Sequence, residues 1–65
     1  MKYIVFDNKY PVIFPDDLIH CSVSVEGMKP TSAGHVKIKT FGVSESLGIG
    51  GKVGDKELIT SLFII

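Results

Sequence analysis

The chain opens on a nearly unbroken apolar run, Lys2 to Phe6 (KYIVF), whose aromatic and β-branched side chains fit a pleated surface better than a helix and predict a strand. Asp7, Asn8 and Lys9 are turn formers. Tyr10 to Phe14 (YPVIF) then reads as a second short strand, at an edge or paired on one side only, because Pro11 cannot donate to a ladder. The two runs make a hairpin.

The polarity pattern becomes ambiguous after Phe14. Pro15, Asp16 and Asp17 resemble a helix start, with proline in the first turn and carboxylates at the positive end of the dipole, and Leu18, Ile19 and Cys21 supply an apolar face for about two turns. Ser22, Val23, Ser24 and Val25 alternate, which is a strand signature. A short helix from Pro15 to about Ser22 is the reading adopted, with a third strand over Pro15 to Val25 as its alternative. Gly27 and Pro30 close the segment.

From Ala33 the period is two: Val36, Ile38 and Thr40 alternate with His35, Lys37 and Lys39, placing the first set on a core and the second toward water. Phe41 and Gly42 are read as the turn, and Val43, Glu45, Leu47 and Ile49, alternating with Ser44, Ser46 and Gly48, as the return strand. The glycines from Gly48 to Gly54 form a connection. Beyond it Asp55 is placed as a helix N-cap, Glu57 in the first turn, and Leu58, Ile59, Leu62 and Phe63 at helical spacing. A final strand over Thr60 to Ile65 is the rival. The sum is one α+β domain of 65 residues, an antiparallel sheet of about four strands in the order ββαββα.

Composition adds a constraint on size. A chain this short buries only about 60 % of its unfolded surface, and its single core rarely contributes more than roughly 3 to 5 kcal/mol without a disulfide, a metal or a second subunit. Cys21 is the only cysteine, and His20, His35 and the carboxylates match no zinc-finger spacing, so self-association is the remaining support and a dimer is expected. Tyr10 and the apolar tail Leu62, Phe63, Ile64 and Ile65 are the candidate interface.

Seven lysines and no arginine balance seven acidic residues, which argues against a nucleic-acid footprint. The run before Asp7 is too short for a signal peptide or a membrane span, so a cytoplasmic protein with a reduced Cys21 is expected. No catalytic or cofactor motif is present: His20 and Cys21 are neighbours that point to different sides, and neither has a partner to orient it. The reading is therefore non-enzymatic and without cofactor.

Six of the seven glycines and a cluster of hydroxyls fall between Lys29 and Lys56. If a ligand site exists, it is here. Thr31, Ser32, His35, Ser44 and Ser46, with Gly50, Gly51 and Lys52 of the GIGGKVG run, are the candidates for holding a nucleotide or other anion, since hydroxyls and exposed backbone amides both suit one. The run lacks the P-loop spacing and any βαβ context, and a solvated sheet face with an ordinary connection is the plainer reading.

At PVIFP (Pro11 to Pro15), PTSAGHV (Pro30 to Val36) and GVSESLGI (Gly42 to Ile49), followed by DKELI (Asp55 to Ile59), nearly the whole chain resembles a loose group of small proteins encoded by bacteriophages and prophages. The resemblance brings no catalytic residues. It implies stoichiometric binding in the host cell cytoplasm, such as inhibition of a host defence protein or capture of its signalling nucleotide.

Overall fold

The computed structural model describes residues 1–37 and 40–63. Strands β1 (Lys2–Phe6), β2 (Tyr10–Phe14), β3 (Pro30–Val36) and β4 (Thr40–Phe41) form an antiparallel sheet in the order β2-β1-β3-β4. Strands β5 (Val43–Ser44) and β6 (Ile49–Gly50) form a separate two-stranded hairpin, and one helix follows, α1 (Asp55–Thr60). Single 3-10 turns lie at His20–Ser22 and Ser61–Phe63. The chain is α+β, but its order departs from ββαββα.

β1 is an inner strand covered on both faces, which explains its continuous apolar run. Ile4 and Phe6 pack with Phe14 and Ala33 on one face, beneath Val23, Val25, Met28, Leu47 and Ile49. Tyr3 and Val5 pack on the other with Ile59 of α1, flanked by Ile13, Val36 and Leu58. The hairpin expected at Asp7 to Lys9 forms: Asp7 and Asn8 have φ of 54° and 58°, and Lys9 N–H donates to Phe6 O at 3.0 Å. Two consecutive positive φ values define the primed turn that matches strand twist, and Asp and Asn tolerate them best after glycine.

Between Pro15 and Val25 neither the helix nor the strand forms. Leu18 N–H bonds to Pro15 O, and the one 3-10 turn is closed by Ser22, whose Oγ donates to Ile19 O at 2.7 Å. Lys2 Nζ holds Leu18 O at 2.7 Å, so that carbonyl is taken by a side chain and not by a helical amide. Local serine bonding of this kind competes with regular structure.

The second hairpin turns earlier than its alternation suggests. Phe41 is in β4, opposite His35, and Thr40 is opposite Val36, so the chain reverses after Val36 and not at Phe41 and Gly42. Ile38 and Lys39 lie outside the described residues. Gly34 makes the close return workable: a Cβ there would lie 2.7 Å from Phe41 O and 3.2 Å from Tyr3 Cε1.

The expected return strand is likewise broken. Ser44 Oγ accepts Leu47 N–H at 3.2 Å and Ser44 O accepts Gly48 N–H at 2.9 Å, folding Glu45 to Gly48 into a turn that Gly48 ends with φ +69°. The C-terminal helix is present and Thr60 belongs to it, which excludes the strand reading there, and Ser61–Phe63 continue as the 3-10 turn. Ile64 and Ile65 lie outside the described residues. The N-cap is Gly54 and not Asp55, which is the first helical residue and is buried.

Candidate functional site

Asp55 is the polar hub of the molecule. It is 2 % exposed, and its carboxylate accepts from Tyr3 Oη at 2.5 Å, Ser32 Oγ at 2.9 Å and the Lys52 N–H at 2.9 Å. Three donors on one carboxylate offset its loss of water, and the charge-assisted bonds are stronger than neutral ones. The GIGGKVG connection is thus tied down by a carboxylate from the same chain, bound to a backbone amide that an incoming anion would need. Gly51 is close by for the same reason, since a Cβ there would lie 2.7 Å from Tyr3 Oη.

Burial, then the hydrogen bond to Asp55 and repulsion by its charge, push the Tyr3 hydroxyl well above the usual tyrosine range. Because the folded state holds this proton more tightly than the unfolded chain, the contribution is complete below about pH 10, the ordinary tyrosine value, and is lost as pH rises beyond it. In a Tyr10→Phe background, stability measured by urea is expected to fall above pH 10 by up to about 1.4 kcal/mol per pH unit. Adding Tyr3→Phe should abolish that slope. A slope that survives would remove the assignment.

The hydroxyls proposed from sequence do not converge. Thr31 sits at the irregularity between β1 and β3, where its Oγ1 donates to Val5 O and accepts the Asn8 N–H. Ser32 serves Asp55. Ser44 is buried in the β5–β6 turn, 3.4 Å from the Ser46 hydroxyl, and Ser46 accepts the Cys21 N–H at 3.2 Å. Gly50 is in β6, and Lys52 Nζ reaches Asn8 Oδ1 at 2.8 Å. Among the described residues every buried side-chain nitrogen or oxygen has a partner.

His35 and Ser46 do come together, with Lys2, Ile19, His20, Val43 and Glu45, around an open cleft of ≈ 580 Å³. Two of its lining residues, His20 and His35, stand in a row of rings. Phe14 meets buried His20 edge-on at 5.4 Å, His20 meets His35 edge-on at 5.9 Å, and His35 stacks on Phe41 at 5.5 Å with the planes 21° apart. His20 Nε2 lies 3.0 Å from Gly34 O, and since a carbonyl only accepts, that nitrogen carries a proton. At the cleft's β1 end the terminal ammonium pairs with Asp16 at 3.0 Å. That hydrogen bond, with the charges of His35 and Lys2 adding to it, holds the Asp16 carboxyl below its ordinary range.

Of the exposed apolar side chains, Ile19 (55 %) and Val43 (60 %) line this cleft and Phe41 (49 %) stacks on His35 of its lining. A second group lies elsewhere. The Lys52–Asn8 bond brings the loop of fully exposed Val53 to the β1–β2 turn, next to exposed Tyr10. Of the interface expected from sequence, Tyr10 and Leu62 are exposed, Phe63 has its backbone in the 3-10 turn, and Ile64 and Ile65 lie outside the described residues.

Comparison with family models, with curated proteins and with solved structures gives no match. Among the described residues no three His, Cys, Asp or Glu side chains gather as a metal site requires, and no helix is long and apolar enough to cross a membrane. Sequence reasoning passed over Ile19, Val43 and Glu45 because Ile19 was assigned to a helix that does not form and Val43 and Glu45 to one long return strand, of which only Val43–Ser44 and Ile49–Gly50 are strand. It treated His20 only as a ligand or base; its place beside Phe14 left no local signal.

Proposed function

We propose that this protein acts by contact and not by chemistry, as a small oligomeric interaction protein that binds a partner protein and modulates or blocks it. The supporting observation is the surplus of large apolar side chains at the surface: among the described residues eight are 43 % or more exposed, on a chain of only 65 residues. Scattered single residues of this kind are ordinary, but grouping around a concavity marks interaction sites. The resemblance to phage-encoded proteins makes a host protein, such as a component of antiviral defence, the natural partner, in the host cytoplasm.

Immobilised protein incubated with host lysate is expected to retain one protein stoichiometrically, and either Phe41→Asp or the pair Tyr10→Asp, Val53→Asp should abolish that retention. No capture by the wild type, or capture indifferent to both changes, would remove the reading.

A second reading, binding of a nucleotide or other small anion, draws on the cleft, whose ≈ 580 Å³ falls within the usual range for ligand sites and which contains His35, Ser46 and Lys2. A nucleotide present at about 100 times its Kd should stabilise the fold by roughly 2.7 kcal/mol. A thermal-shift panel of nucleotides and cyclic dinucleotides that moves nothing eliminates it.

A further inference from the structure

The geometry points to a specific occupant for the cleft face: a second copy of this chain, docked about a two-fold axis with Ile19, Phe41 and Val43 at the centre and Lys2 of one protomer facing Glu45 of its partner. This rests on the reading of the protein as a contact-acting oligomer and names the surface through which it assembles.

The first support is apolar. Ile19 and Val43, each more than half exposed, line one concavity, and half-exposed Phe41 stacks on His35 of its lining; the centre of an interface is where aromatic and aliphatic groups gain most from leaving water. Phe41 is already held by its stack on His35, so little rotamer freedom remains to be lost when it is covered.

Charge is the second. In a two-fold interface the same patch meets itself, so a face of one sign repels its copy and a face carrying both signs can match. Lys2 and Glu45 line the cleft with opposite charges, and the nearby terminal ammonium and Asp16 already neutralise each other. The formal net charge of the chain is zero, so no long-range repulsion separates two copies.

The sheet edges give the third, by exclusion. β2 is one edge, and Pro11, unable to serve the ladder to β1, takes the outward position, where it denies an incoming strand a donor. β4, the other edge, is two residues long, as are β5 and β6 of the second sheet. Among the described strands, pairing by side chains is favoured over pairing by edges.

The test is a charge exchange between two variants, Lys2→Glu and Glu45→Lys, each weighed alone and mixed in equal amounts by sedimentation equilibrium, with circular dichroism to verify folding. The wild type is expected at twice its 7.1 kDa mass. Each variant alone places like charges across the axis and should dimerise at least about tenfold more weakly. Their mixture restores two opposite-charge pairs and should recover a dimer of one copy each.

Lys2 also anchors Leu18 O, so should Lys2→Glu fail to fold, Glu45→Lys is compared with Glu45→Gln, and the lysine variant is expected to be the weaker dimer. Val43→Asp should abolish the dimer outright. A wild-type monomer at high micromolar concentration, or a dimer that ignores these substitutions, overturns the proposal. Partner capture that persists in either case would leave the contact-acting reading standing.

Discussion

Asp55→Ala is expected to unfold most of the protein at 25 °C, with loss of the far-ultraviolet circular dichroism signal and no cooperative urea transition. The substitution deletes the common acceptor of Tyr3 Oη, Ser32 Oγ and the Lys52 N–H. An unpartnered buried donor costs about 1 to 3 kcal/mol, and three of them outweigh the relief of no longer burying a charge, for a net loss of about 3 to 5 kcal/mol. A core of this size supplies roughly that much in total. Tyr3→Phe, which removes one donor and leaves the carboxylate two others, should cost only about 1 to 2 kcal/mol and give a folded protein. If Asp55→Ala shifted the unfolding free energy by under about 1 kcal/mol, the carboxylate would not be the hub described.

Gly34→Ala is the second large effect, and it acts through space and not through hydrogen bonds. The added methyl would stand 2.7 Å from Phe41 O and 3.2 Å from both Gly42 O and Tyr3 Cε1. Two of these neighbours are backbone and cannot swing away, so β4 must separate from β3. Overpacking of this kind costs about 1 to 3 kcal/mol or more, and here it also draws Phe41 away from His35. A useful control is Gly54→Ala, where φ is −86° and nothing lies within 4 Å of the new atom. That change restricts the unfolded chain, but alanine is the poorer N-cap, so the two effects offset and stability should move by under about 0.5 kcal/mol. The urea midpoint of Gly34→Ala should therefore fall well below that of Gly54→Ala.

What was legible in the chain follows from how locally each element is determined. KYIVF and YPVIF announce a hairpin because side-chain shape, the Asp-Asn turn and Pro11 all agree. DKELI announces a helix because carboxylates and apolar spacing coincide. The segment from His35 to Gly50 misleads because its alternation is genuine but the chain does not use it: Ser44 spends its hydroxyl on Leu47 N–H and Gly34 admits a return strand at close range. Only the second of these involves a partner distant in sequence, the Tyr3 ring. Asp55 is the sharper case. Its position before a helix is what an N-cap would show, and its true role depends on Tyr3 and Ser32, which share no periodicity with it. The cleft was hidden for the same reason, since its lining comes from β1, the 3-10 turn, β3 and the β5–β6 hairpin.

The bond between Tyr3 and Asp55 joins positions 52 residues apart. β1 is an inner strand of the sheet, so its place depends on neighbours on both sides and on a carboxylate from α1. Bringing Tyr3 and Asp55 together closes a wide loop, which costs entropy and slows the search for the fold. Cutting the chain before Asp55 should leave no native remnant, because Tyr3 and Ser32 lose their common acceptor.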